Sequence, residues 1–208
     1  MNDIIAKRKQ AERQERAESI LAAGRKLFLE KDYRGATMRD IATEAALSTG
    51  AVYFYFKGKD EIFGRVCEEA FQVLLELLKQ AAAHPGNPRE RFEKVVKAYM
   101  RFYTDYPDYF AFLEMGFKKI ALPGEISGIL DGLYLQAISI LKDIIDTGIQ
   151  EGYFSSEHGN GWALTVNFWA SVEGLLYLHR VGYLEGLDLE ALVDNQIRIF
   201  QRGTNPAP

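Results

Sequence analysis

Residues 37 to 62 read TMRDIATEAALSTGAVYFYFKGKDEI, and this stretch predicts two short amphipathic helices joined by a tight turn. Thr37 can cap the first helix, and Asp40 three residues later can complete a capping box. Ser48 offers a capping hydroxyl to the second helix in the same way. The apolar residues of the first helix recur at the spacing of a single face: Met38, Ile41, Ala42 and Ala45. The pattern predicts a helix-turn-helix at residues 37–56.

The second helix of this pair carries an outer side that packing does not explain. Val52 and Phe56 lie four residues apart and are expected to face inward. Tyr53 to Tyr55 are three consecutive aromatics, which cannot all point inward on a 3.6-residue period. Thr49 and Gly50 would let the start of the helix approach base edges closely, while phenolic hydroxyls can donate to phosphate oxygens. These residues favour a helix that enters the major groove of double-stranded DNA.

Together with the preceding segment RAESILAAGRKLFLEKDYRGAT, this stretch resembles the DNA-binding domain of TetR-type transcriptional regulators. The resemblance spans roughly residues 14 to 74 and rests on the residue types at Ile20, Leu21, Ala23, Leu27, Phe28, Thr37, Ile41, Ala42, Ala45, Ser48, Gly50, Tyr53, Phe56, Lys59 and Ile62. Two positions depart from the family pattern. Ala46 stands where glycine is usual, and Tyr55 stands where histidine is common. Alanine in the turn implies either a residue without positive φ or one that accepts mild strain.

The resemblance implies an all-α fold, in which a three-helix DNA-binding domain precedes a larger helical domain for ligand binding and dimerisation. The corresponding ranges are a basic arm at 1–13, the DNA-binding domain at 14–74 and the helical body at 75–208. The residues expected to contact DNA are Thr37, Arg39, Ser48, Thr49, Gly50, Tyr53, Phe54, Tyr55 and Lys59.

Charge is distributed unevenly along the chain. Residues 1–66 hold 13 Lys and Arg against 10 Asp and Glu, whereas the remaining residues hold 12 against 19. A cluster of basic residues lies before and within the first helix: Lys7, Arg8, Lys9, Arg13 and Arg16. These cations could reach phosphates beside the recognition helix or follow a minor groove. A solvated, frayed amino terminus explains residues 7–9 equally well.

Beyond the helix-turn-helix the chain reads as helix almost throughout. Apolar periodicity predicts six further helices, the first of which ends at the breakers His84-Pro85-Gly86-Asn87-Pro88. Their expected ranges are 60–83, 89–106, a short aromatic helix that ends near residue 117, 126–152, 161–180 and 188–202. The resemblance implies that a small-molecule effector binds among these helices and shifts the helix at 60–83. The candidate ligand-binding residues are Tyr99, Phe102, Tyr103, Phe110, Phe117, Tyr134, Asn167, Phe168 and Glu173. Aromatics at helical spacing are also ordinary core residues.

The last two helices carry apolar stripes that must be buried against another surface. The two helices could pack on each other within a single chain. The resemblance instead implies a homodimer formed by pairing these helices in a four-helix bundle, with an interface that includes Trp162, Trp169, Leu176, Val193, Ile197 and Phe200. A two-fold dimer would present two recognition helices to a palindromic operator. The expected function is a repressor released by a small apolar or aromatic ligand.

Other functional classes have less support. A helical enzyme would need acid–base groups, but Glu173 and His179 lie six residues apart, on different sides of a helix. The sequence has no nucleophile motif and no phosphate-binding or dinucleotide-binding motif, and we expect no cofactor. The histidines have no metal-ligand spacing. A protein-binding helical adaptor remains a second alternative, against which the basic arm argues.

Composition places the chain outside the membrane and secreted classes. No segment reaches the roughly 20 apolar residues that a membrane crossing needs, and the amino terminus has no apolar signal region. Cys67 is the only cysteine, so an intrachain disulfide is impossible. We therefore expect a cytoplasmic protein in which Cys67 is a small buried residue.

Overall fold

The computed structural model describes residues 2–117 and 122–206, without the side chains of residues 2–4 and 117. The regular structure within these ranges is entirely helical, which confirms the predicted all-α fold. The helices are α1 (Asn2–Gly35), α2 (Met38–Glu44), α3 (Thr49–Tyr55), α4 (Lys59–Ala82), α5 (Pro88–Asp105), α6 (Pro107–Phe117), α7 (Gly124–Gln150), α8 (Gly161–Arg180) and α9 (Leu189–Gly203). No helix in the described ranges combines the length and the apolar character that a membrane crossing requires.

Helix α1 is longer than the sequence suggested. It begins at Asn2, so the described residues of the basic arm continue the helix. Near its end Asp32 has φ 60° and kinks the helix, while its carboxylate accepts a hydrogen bond from the backbone amide of Tyr33 at 2.7 Å. The other predicted helix limits agree with the structure to within about two residues.

The described residues form two compact units. The first comprises the described residues of Met1–Val73 and Tyr106–Leu133, and the second those of Leu74–Asp105 and Tyr134–Pro208. Helix α6 and the beginning of α7 therefore share a unit with the helix-turn-helix.

The core of the first unit is built from the inward faces of α1 to α4. Its buried residues include Ile20, Leu27, Phe28, Ile41, Ala42, Val52, Phe56, Ile62, Phe63 and Val66. The rings of Phe28 and Phe63 meet edge to face, with centroids 5.3 Å apart. Gly24 permits the close approach of α1 and α4, because a Cβ there would lie 2.6 Å from Ile62 Cγ2.

The core of the second unit is organised around four phenylalanine rings. Phe92 of α5 stacks on Phe200 of α9 with centroids 4.7 Å apart, and Phe168 of α8 lies against both rings. Phe154, in the connection after α7, completes the cluster. Aromatic side chains of this size bury large apolar areas, so the cluster fixes α5, α8 and α9 against one another.

Candidate nucleic-acid interface

The two helices of the helix-turn-helix begin with the caps that the sequence predicts. Thr37 Oγ1 accepts a hydrogen bond from the Asp40 amide at 3.1 Å, and the Asp40 carboxylate accepts one from the Thr37 amide at 3.0 Å. Hydrogen bonds from Thr37, followed by the nearby Lys31 ammonium, lower the pKa of Asp40. Ser48 Oγ accepts from the Ala51 amide at 3.1 Å and caps α3. The capping box and the second cap are confirmed.

The turn between α2 and α3 is a Schellman motif with an alanine in the position that favours glycine. The amide of Leu47 donates to the Ala42 carbonyl at 2.9 Å, and the amide of Ala46 donates to the Thr43 carbonyl at 3.1 Å. Ala46 has φ 53°, in the left-handed region. The turn therefore accepts mild strain, the second of the two possibilities that the sequence left open.

The two sides of α3 are separated as the sequence predicted. Val52 and Phe56 are buried against the core. On the outer side, Tyr53 is 52% exposed and Phe54 is 70% exposed. Gly50 is also exposed, while Thr49 and Tyr55 are half-buried. These outward residues form one surface that α1, α2 and α4 do not cover completely.

Helix α2 is held against α1 by two ion pairs at its ends. Lys26 pairs with Glu44 at 2.7 Å, and Lys31 pairs with Asp40 at 3.2 Å. Arg39, expected to contact DNA, is exposed on the same helix. Thr37 and Ser48, expected to do the same, use their hydroxyl oxygens as caps. Their contact with phosphate stays a prediction.

Lys59 has an internal role that the sequence did not indicate. Its ammonium donates to the carbonyls of Tyr33 at 3.0 Å and Ala36 at 3.1 Å, and lies 4.5 Å from the centroid of the Tyr33 ring. The Tyr33 hydroxyl donates to the Asp60 carboxylate, and burial followed by this carboxylate raises the pKa of Tyr33. The start of α4 is thereby fastened to the corner between α1 and α2. The third N–H donor of the Lys59 ammonium remains for a phosphate oxygen, so the predicted contact of Lys59 with DNA stays a prediction.

Several predicted ligand-binding residues form one layer in the second unit. The ring of Tyr99 lies 4.4 Å from that of Trp169, and the Tyr99 hydroxyl donates to the Glu173 carboxylate. Burial and then the Glu173 charge raise the pKa of Tyr99 well above its usual value, and the same two causes raise the pKa of Tyr134. The Tyr103 hydroxyl lies 2.7 Å from His179 Nδ1. A single carboxylate thus lies among aromatic side chains.

The remaining candidates for ligand binding lie elsewhere. Phe102 and Phe168 are buried core residues of the second unit, whereas Phe110 is buried in the first. Asn167 is exposed on α8, and its role in ligand binding stays a prediction. The side chain of Phe117 lies outside the described residues.

The residues predicted for the dimer interface require a correction. Leu176, Val193 and Ile197 are buried within the single chain, because α8 and α9 pack on each other and on the rest of the second unit. Phe200 stacks on Phe92, and Trp169 stacks on Tyr99. Only Trp162 of the predicted set is exposed. The apolar spacing in the sequence therefore marks the sides of α8 and α9 that pack inside the single chain.

Other apolar side chains occupy the outer surface of these two helices. On α8 the exposed ones are Trp162, Val166, Tyr177 and Leu178, and on α9 it is Ile199. Trp162, Val166 and Tyr177 fall on one side of α8 by helical spacing.

Among the described residues, no group of three or more His, Cys, Asp and Glu side chains is arranged to hold a metal ion.

Known proteins resemble the chain in sequence and in fold. Residues 20–66 match the model of bacterial regulatory proteins of the tetR family. The HTH-type transcriptional repressor BepR of Brucella suis is 33% identical over 130 residues, which are 61% of this chain and 61% of the repressor. The HTH-type transcriptional repressor NicS of Pseudomonas putida is 23% identical over 140 residues, which are 67% of this chain and 66% of that protein. The chain thus spans just under two thirds of the length of each of these relatives.

The fold resemblance extends over most of the chain. The crystal structure of the TetR family transcriptional regulator PfmR from Thermus thermophilus superposes with a TM-score of 0.69 and 23% identity, covering 88% of this chain and 97% of that one. The capped helix-turn-helix, the family match at residues 20–66 and this common fold agree. Residues 20–66 belong to the tetR family of bacterial regulatory proteins, and the chain as a whole shares the fold of a TetR family regulator.

Proposed function

We propose that the chain is a cytoplasmic transcriptional repressor that binds a palindromic DNA operator as a homodimer and is released by a small apolar or aromatic ligand. The outer surface of α3 carries this proposal, because Tyr53 and Phe54 are more than half exposed beside Gly50 on a well-capped helix. Two exposed aromatic side chains on such a short helix have no use in packing. The names of BepR and NicS, both repressors, support repression.

The dimensions and chemistry of α3 suit the major groove. An α-helix with its side chains is about 10–12 Å in diameter, close to the width of that groove of about 12 Å. Thr49 and Gly50 are small, so the start of the helix can approach base edges, and the Tyr53 hydroxyl can donate to a base or phosphate acceptor. The ring of Phe54 can contact a thymine methyl group.

Footprinting on DNA from upstream of the gene tests the proposal, followed by gel shifts on the protected sequence. We expect Thr49→Ala with Tyr53→Ala to weaken specific binding by at least tenfold, because each good base contact contributes about 1–3 kcal/mol. Gln72→Ala, an exposed change on α4, is the matched control and should leave the affinity unchanged. Equal affinity of the double variant and the wild type would show that α3 does not read the operator.

The proposed dimer would use the outer surface of α8 and α9. Trp162, Val166 and Tyr177 form an exposed apolar stripe on α8, and Ile199 is exposed on α9. Exposed apolar groups of this kind commonly mark contact surfaces. A two-fold contact through them would bring two copies of α3 to successive major grooves of one operator.

The proposed effector would contact the layer of Tyr99, Tyr134, Trp169 and Glu173. The layer combines aromatic surface with one carboxylate, which suits a small ligand that carries an aromatic or apolar body. Trp162 and Trp169 are the only tryptophans, so a Trp162→Phe variant makes Trp169 the sole fluorescent reporter. Compounds that release DNA in the gel shift should change Trp169 emission. Release without any change in emission would place the effector elsewhere.

A further inference from the structure

The amino-terminal part of α1 projects beyond the core of the first unit. Residues 5–16 are all exposed, while the buried positions of α1 begin with Ile20. At 1.5 Å per residue these twelve residues form a helix roughly 18 Å long. That length equals about five of the 3.4 Å steps by which one DNA strand rises per phosphate along the helix axis. The extension is long enough to reach more than one phosphate of a strand.

Two concavities beside this extension differ in charge. Lys9, Gln10, Arg13 and Gln14 line one open concavity of about 560 Å³. Two cations and two amides therefore share this side, and no carboxylate among the described side chains lines it. Glu12 and Glu15 line a second concavity together with Arg16 and Ser19, next to Ala45 and Leu47 of the helix-turn-helix turn. We call the side formed by Lys9, Gln10, Arg13 and Gln14 the cationic face.

A direct contact links the cationic face to the recognition helix. The guanidinium carbon of Arg13 lies 5.6 Å from the centroid of the Phe54 ring. Phe54 is the most exposed aromatic residue of α3. Stacking uses the flat side of a guanidinium and leaves its in-plane N–H groups able to donate to another acceptor.

We propose that the cationic face binds the phosphates of the DNA strand beside the groove that α3 enters, and that Phe54 positions Arg13 for this contact. The proposal rests on the proposed function in DNA binding. Lysine, arginine and glutamine side chains are the donors that bind phosphate oxygens in protein–DNA interfaces. Because the contact is with the phosphate backbone of the DNA, it strengthens binding and fixes the position of the protein on the duplex, but it does not distinguish one base sequence from another. Phe54 then acts through Arg13, in addition to any contact of its own.

The salt dependence of binding to the footprinted operator tests the cationic face. We expect Lys9→Gln with Arg13→Gln to reduce the slope of log affinity against log salt by about two units, one for each lost phosphate contact. The control, Lys94→Gln with Arg101→Gln, removes the same charge from exposed positions of α5, in the second unit. It should change the slope by much less than one unit. All four positions are exposed, so helicity measured by circular dichroism should not change.

Phosphate ethylation interference identifies the contact on the DNA. The wild type and the control should share a set of interfering phosphates that the Lys9 and Arg13 variant loses. Phe54→Leu should lose the phosphate that Arg13 contacts and keep the one that Lys9 contacts. Its effect on affinity should be clearly smaller in an Arg13→Gln background than in the wild type, whereas a Phe54 that acts only through its own DNA contact would give additive losses.

The outcomes separate the two proposals. A wild-type protein that binds no operator would overturn the proposed function. If the wild type binds, but the Lys9 and Arg13 variant matches the control in salt slope and interference pattern, the cationic face does not bind DNA. An additive double-mutant cycle would remove the positioning role of Phe54.

Discussion

Ala46 adopts a backbone conformation that its side chain disfavours. A left-handed conformation costs a residue with a Cβ about 1–2 kcal/mol, and glycine avoids this cost. We expect Ala46→Gly to raise the free energy of unfolding by up to about 1 kcal/mol, since the greater freedom of glycine in the unfolded chain offsets part of the gain. Urea denaturation measures the change.

The neighbouring alanine provides the control for this prediction. Ala45 has φ −77°, so glycine there relieves nothing and should lower the free energy of unfolding by about 0.5–1 kcal/mol. Changes of opposite sign in the free energy of unfolding at these two adjacent alanines would identify the backbone conformation as the cause. Equal destabilisation by both variants would contradict the prediction.

Lys59 stabilises the corner between α1 and α2 through backbone carbonyls. Lys59→Met keeps most of the side-chain length but removes the donors to Tyr33 and Ala36. Because two partly buried carbonyls lose their partner, we expect the free energy of unfolding to fall by about 1–3 kcal/mol. Thermal and urea denaturation check this without any DNA. Lys57→Met, at an exposed neighbouring position, should change stability by less than about 0.5 kcal/mol.

Residues such as Thr37, Ser48, Val52 and Phe56 could be predicted because their roles depend on neighbours within four positions. A cap and a buried helical face are local patterns, so spacing alone specifies them. The contacts of Lys59 could not be predicted in this way. Its partners are backbone carbonyls 23 and 26 positions away, and no side-chain pattern marks a carbonyl as an acceptor.

At the scale of helices, α8 and α9 illustrate why apolar spacing does not identify a partner. The same stripe results whether a helix packs within its chain or against a second copy. In this chain the strongest stripe positions, Leu176, Val193 and Ile197, are buried internally, and the interface predicted from them was wrong. Only the folded structure distinguishes them from the outer positions Val166 and Tyr177.

The proposed dimer gives a test that separates the two sets of positions. Tyr177 is 56% exposed on its own chain, so Tyr177→Glu should leave the fold intact while placing a charge in the proposed interface. We expect monomers by sedimentation velocity, with an unchanged circular dichroism spectrum. Ile197 is 3% exposed, so Ile197→Glu should instead unfold the chain, at a cost above about 4 kcal/mol. If the Tyr177→Glu variant remains a dimer, the interface lies elsewhere.

At the scale of the whole molecule, the helix-turn-helix unit includes more than the amino-terminal residues. Helix α6 belongs to the first unit, where it contacts α1. The Cys67 thiol of α4 lies 3.6 Å from the Phe112 carbonyl of α6. A Cβ on Gly64 would lie 2.6 Å from Ile126 in the first turn of α7. Residues 20–66 match the family model as one continuous stretch, yet their core is completed by helices that begin about 40 residues further along the chain.

This arrangement predicts how the single cysteine reacts in the intact chain and in a fragment of residues 1–74. Burial raises the pKa of Cys67 to about 12, so at pH 8 only about one thiol in ten thousand is ionised, and the thiolate is the reactive form. An exposed thiol has a pKa of about 8.5. The fragment lacks α6, which should expose Cys67 and increase its reaction rate with a disulfide reagent by at least roughly a hundredfold.

The urea-unfolded intact chain provides the reference rate for a fully exposed thiol, and the absence of any other cysteine makes the signal unambiguous. The raised pKa also sets the direction of a pH effect. Because the folded state disfavours the thiolate, this group lowers the stability of the intact chain as the pH rises from about 8.5 towards 12. Slow reaction in a folded fragment, equal to that of the intact chain, would show that α1 to α4 bury Cys67 without α6. In that case residues 1–74 would form an independent module, and α6 would only cover a core that is already complete.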